Sequence, residues 1–362
     1  MHALWQAAGR TARQSALRRT AQWGLLLSPP VLLVGAVVWS LLAGRGLDGL
    51  GRPLAYIVGP AADAYAESCD ACLVGYLVFQ WALLTLLWGL FGGAIYRAAA
   101  VRMTQGRNES PDESRAFARD HWRGFVGARL ALLLGAVVPL LLAIGLSTVG
   151  RIDGPLGGVL LALGIIAVVL LAVLSVLVAS ACLVGGFLTG PTIACEDSDA
   201  FDALSRTFGY AAAGLPRLVA VRVRFLAGVV LGSGWRLVLA AAIAALTIAC
   251  VRIGAGEEAM TRIRALFGAL GVPGDADRLG LTTGDTIAAL ALGLVLFVLL
   301  LRWAADFVSR VHCAQVGAYL TLRNAIDAVP LDTLRTRPSA PTFRTAEEAG
   351  FVEVDRITGT SR

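Results

Sequence analysis

The chain has 362 residues, 57% of them apolar and 15% charged, with a mean hydropathy of +0.72. A water-soluble domain carries roughly a quarter of its residues as charge, so lipid must cover much of this surface and a soluble globular domain is excluded. The net charge of +6 comes from arginine alone, with no lysine. It is spread over several connections without a basic run interleaved with aromatics, so it reads as a membrane-topology signal and not as a nucleic-acid footprint.

Residues 1–21 carry Arg10, Arg13, Arg18 and Arg19 and are read as a basic cytoplasmic segment. The apolar run that follows is long enough to span, so this is not a signal peptide. Apolar stretches of spanning length lie at 22–43, 73–99, 124–149, 156–189, 225–250 and 285–305. Strands in lipid would leave backbone groups unpaired. The fold class expected is therefore all-α, a polytopic bundle of about six transmembrane helices over 22–329, with amphipathic interfacial helices between them. The fourth stretch, at roughly 50 Å against a hydrocarbon core of about 30 Å, must tilt, kink or protrude. Gly185-Gly186 and Pro191 mark its expected end.

Arginine placement sets the expected orientation. Arg97, Arg102, Arg107, Arg115, Arg119 and Arg123 lie in one connection, and Arg206, Arg217, Arg222 and Arg224 in another on the same side. Fewer lie opposite, which places both termini in the cytoplasm.

The connections themselves carry helix signals. Ser110-Pro111-Asp112-Glu113 is a capping box with proline at the first helical position. A second helix is expected from Ser198 or Asp199, with Phe201, Leu204, Phe208 and Leu215 on one face, the pair Asp202 and Arg206 on another, and Gly214 and Pro216 ending it. The sixth span should run on as an amphipathic stretch with four-spaced pairs Arg302–Asp306–Arg310 and Arg323–Asp327, stopped by Pro330. Residues 330–362 are read as a disordered cytoplasmic tail. Two weaker amphipathic pieces, one around Leu54 to Tyr65 and one from Met260 to Leu270, are expected on the opposite side.

Several of these segments carry a family resemblance. They are Gly93 to Arg97 with Ala99 and Val101, Glu113 through Trp122, Asp197 through Arg206 with Tyr210 and Pro216-Arg217, and Ala318 to Arg323 with Asp327. In order and spacing they resemble a family of uncharacterised bacterial multi-pass integral membrane proteins. The Ala203-Leu204-Ser205-Arg206 helix followed by Pro216-Arg217 is also similar to the membrane domain that accompanies glycerophosphodiester phosphodiesterases. The resemblance implies a fold and a topology and brings no activity.

Three features carry candidate chemistry. Cys69-Asp70-Ala71-Cys72, just before the second span, is open to three readings: a redox or metal site, a local structural disulfide, or two incidental small residues. Arg236, about eleven residues into the fifth span, is either an intramembrane contact for an anion, with no carboxylate deep in a span to partner it, or a guanidinium that snorkels from an interfacial helix; the second is preferred. His2, His121 and His312 with Cys195 or Cys313 lack metal-ligand spacing, and no cofactor is expected. Glu196, Asp197, Asp199 and Asp202 are explained by helix capping and dipole compensation. The functional expectation is a non-enzymatic scaffold or accessory subunit, with the lipid bilayer and a membrane-protein partner as its contacts and no nucleic acid. The alternatives are a transporter or channel for a small anion or lipid, and a membrane thiol redox protein.

Overall fold

The structure, a computed structural model, describes residues 2–42, 70–152, 155–269 and 283–334, with the isolated positions 57 and 60. Its elements are helical throughout: α1 His2–Thr11, α2 Ser15–Leu42, α3 Asp70–Gln105, α4 Pro111–Asp120, α5 Trp122–Ser147, α6 Pro155–Gly185, α7 Thr189–Glu196, α8 Ala200–Ala269 and α9 Thr283–Asp327. Short 3-10 turns follow α5 and α6. Among the described residues six helices are long and apolar enough to cross a bilayer. The chain is therefore an all-α, multi-pass membrane protein.

The most apolar windows of the spans are little buried, and the packed core gathers elsewhere along the same helices. The most apolar window of Gly158–Ser180 buries none of its residues inside protein, and no span window exceeds 22%. Leu163, Ile166, Leu170, Val176 and Leu177 on α6 all face outward, an apolar surface of the kind a bilayer accommodates. The dense core sits at the arginine-rich end. There α1, the end of α3, α7, the first half of α8 and the last third of α9 bring together Leu4, Ile95, Tyr96, Ile193, Ala203, Leu218, Phe225, Tyr319 and Leu322.

Local chemistry accounts for these elements. Ser110 and Glu113 form a reciprocal capping box, with Pro111 opening α4. Asp199 caps α8, its Oδ1 accepting from the backbone N–H groups of Phe201 and Asp202 at 3.0 and 2.9 Å. Helix α7 ends on Asp197 in the left-handed region (φ 54°), a conformation that asparagine and aspartate tolerate better than most residues. Gly190 permits the closest approach in the core, because a Cβ there would stand 2.3 Å from the Tyr96 ring.

Several expectations are corrected. Gly214 and Pro216 do not end a helix: α8 runs through both for 70 residues, about 105 Å. Its buried positions Ala203, Thr207, Tyr210, Leu218, Val221, Phe225 and Val229 keep helical spacing across the proline. Packing along α9 thus outweighs the one lost backbone bond. The C-terminal part of α9 is no surface helix; from Cys313 to Arg323 nearly every residue is buried. Residues 330–334 are not free tail, since Pro330 and Thr333 accept from Arg323 and Leu334 packs on the core. The basic N-terminal segment is built into the fold, with Leu4 and Ala8 of α1 and Ala12 in the turn after it buried. The rest of the expected tail, residues 335–362, and most of the amphipathic piece from Leu54 to Tyr65 lie outside the described residues. The Met260–Leu270 piece belongs to α8 as far as Ala269.

Candidate functional site

The polar chemistry of the arginine-rich end is organised around two buried carboxylates. Glu196, at the end of α7, receives Arg323 Nη1 at 2.9 Å and the Tyr319 hydroxyl at 3.0 Å, both from α9. The Arg323 and Glu196 side chains are 1% and 2% exposed, so the pair is dry. The other side of the Arg323 guanidinium donates to the Pro330 carbonyl at 3.1 Å and to Thr333 Oγ1 at 2.7 Å, which folds the chain back after α9. Arg206 of α8 stands 3.8 Å from the second Glu196 oxygen. One carboxylate therefore ties α7, α8 and α9 together.

Around this hub the neighbouring groups are also paired. Tyr210 donates to Asp327 at 2.6 Å. Arg97 donates to the Ala194 carbonyl at 3.1 Å, meets Glu109 at 3.4 Å and lies over the Phe117 ring at 4.3 Å, which locks α3 to α4 and α7. His121 pairs with Asp197. Burial pushes the Cys195 thiol up to about 12, so this cysteine is a packing residue and not a nucleophile.

The second carboxylate, Asp306, is 3% exposed and collects three arginines from three helices: Arg18 at 3.1 Å, Arg310 at 2.7 Å and Arg236 in a still closer contact. Three guanidinium groups on one carboxylate leave the cluster with excess positive charge.

The residues singled out in the sequence fare differently. Asp202 and Arg206 meet as an i,i+4 pair at 3.3 Å, with Asp202 half-exposed. Arg236 has the carboxylate partner the sequence reading denied it, in Asp306. Arg323 and Asp327 serve Glu196 and Tyr210 in place of the expected pairing with each other. Cys72 is disulfide-bonded at the start of α3, while Cys69 lies outside the described residues. His121 and His312 are not brought together: His312 packs between Tyr96 and Trp88, and His121 stacks on Phe117. Among the described residues no three His, Cys, Asp or Glu side chains gather as a metal site.

Sequence reasoning missed Glu196 as a hub, because its partner Arg323 is 127 positions away. It anticipated the four-spaced Asp306–Arg310 pair but not the other partners of Asp306, since Arg236 lies 70 positions away on another helix.

Beside the hub, α8 keeps an apolar face outside the packed core. Phe201 is 82% exposed, and Phe208, Leu215 and Val219 continue outward from it at helical spacing. What the arrangement offers chemically is a rigid, charge-locked support carrying an aromatic surface. The architecture defines a class, the multi-pass helical membrane proteins, here with the packed core gathered at one end. Within that class, comparison with protein families, curated proteins and solved structures returns no match.

Proposed function

We propose that the protein is a non-enzymatic scaffold or accessory subunit of a membrane complex in the bacterial inner membrane, with its arginine-rich end and both termini in the cytoplasm. The observation that carries this reading is the exposed Phe201–Phe208 face, held on a support fixed by the Glu196–Arg323 pair. An aromatic that far out of the core, beside charges rather than among the lipid-facing leucines, fits an anchor for a partner protein. Arginine bias supports the orientation. Arg236 lends less to a transport reading, because its guanidinium is committed to Asp306 at the same end of the bundle.

The test is purification of the full chain from native membranes in mild detergent, beside a Phe201→Ala/Phe208→Ala variant. The expected result is one protein retained in stoichiometric amount with the wild type and lost with the variant, at equal membrane level. A wild-type chain that purifies without a protein companion would refute the reading.

A further inference from the structure

A cleft of about 520 Å³ opens between α1, α8 and α9 and belongs to neither the Glu196 hub nor the Phe201 face. One part of its wall is basic, with Arg10, Arg13 and Arg310. The other part is apolar, with Trp5, Phe225, Val229, Leu231 and Ala314. We infer that this cleft binds the phosphate-bearing headgroup of an anionic phospholipid, with the acyl chains lying on the apolar face of α8.

Charge argues for the headgroup. Arg10 on α1 and Arg13 in the turn after it are exposed and make no ion pair with a carboxylate among the described residues. Arg310 holds Asp306 through Nε at 2.7 Å, but that carboxylate is already shared with Arg18 and Arg236. A region with this excess of guanidinium attracts a phosphate, which takes paired N–H donors from arginine. The volume lies in the usual range of ligand pockets, about 300–1,000 Å³.

Position argues for a lipid as the source of the phosphate. Leu231 lines the cleft and is 75% exposed, and Val230 and Trp235 continue the outward apolar surface along α8. Trp5 lies across Gly228, where a Cβ would meet the indole nitrogen at 2.2 Å. An aromatic and arginines beside an exposed leucine surface are what a membrane interface places at headgroup level.

The experiment uses the delipidated full chain and native mass spectrometry. Dioctanoyl phosphatidylglycerol is titrated against dioctanoyl phosphatidylcholine, with inorganic phosphate as competitor. The expected result is one tightly held phosphatidylglycerol, with phosphatidylcholine not retained at the same concentration and phosphate unable to displace the lipid. Arg10→Gln/Arg13→Gln should weaken binding by about tenfold or more, the loss of at least one charge-assisted contact. Gly9 lines the cleft and a Cβ there meets nothing within 4 Å, so Gly9→Leu should occupy the space without straining α1 and abolish binding. Equal retention of the two lipids, or unchanged phosphatidylglycerol affinity in both variants, would overturn the assignment. Displacement by phosphate at equal concentration would make the cleft a site for free anions and overturn the lipid reading. The Phe201 reading stands or falls separately.

Discussion

At the scale of single residues, the decisive distinction is between charges that face solvent and charges that do not. Asp202–Arg206 and Glu196–Arg323 are both acid–arginine pairs, yet Asp202 is half exposed while Glu196 is sealed. Removing one partner of a sealed pair strands the other without solvent, at a cost of about 3–5 kcal/mol, whereas an exposed pair contributes about 0.2–1 kcal/mol. Glu196→Gln should therefore lower stability in detergent by several-fold more than Asp202→Asn, read from denaturant midpoints of the purified chain. Similar midpoints for the two variants would show that Glu196 is not the hub described here. The same distinction explains why Asp202–Arg206 was legible in the sequence and Glu196–Arg323 was not. Four-residue spacing announces a local pair, while a partner on another helix leaves no mark in either segment. Arg323 and Asp327 illustrate the converse, since their spacing suggested a pair that the tertiary partners Glu196 and Tyr210 pre-empt.

At the scale of elements, apolar length was the reliable signal. The six spans, the capping box before α4 and the end of α6 at Gly185 all follow from patterns of a few tens of residues or fewer. Breaker residues misled where packing was strong, as at Pro216 inside α8. Helix α1 carried too little apolar character to announce itself, because its buried face offers only Ala8 beside Leu4 as apolar side chains. The short helix α7 depends on a different device, the missing side chain at Gly190 against Tyr96. Gly190→Ala should cost about 1–3 kcal/mol, the usual range for an overpacked core. Gly209→Ala, where a Cβ meets nothing within 4 Å, should be neutral or stabilising by about 1 kcal/mol, since alanine favours the helix. Thermal unfolding of the two variants in one detergent checks the difference, and equal shifts would contradict the close α3–α7 packing.

At the scale of the whole molecule, the spans leave most of their apolar windows outside the packing while the core gathers at one end, where α1, α3, α7, α8 and α9 converge. Helix α8 links the two regimes, since about 105 Å of helix exceeds a hydrocarbon core of about 30 Å more than threefold and must emerge from it. The packed end thus has the rigidity to present a surface, and Phe201 stands on it at the first turn of α8. A docking role for Phe201 is decided by photo-crosslinking in native membranes from a benzoylphenylalanine placed at position 201. The expected result is a single protein adduct in high yield, absent when the same probe stands at Leu163 on the outward apolar surface of α6. Lipid adducts alone from position 201, or no adduct, would contradict it and turn the exposed aromatic face from a docking surface into a membrane-lying one.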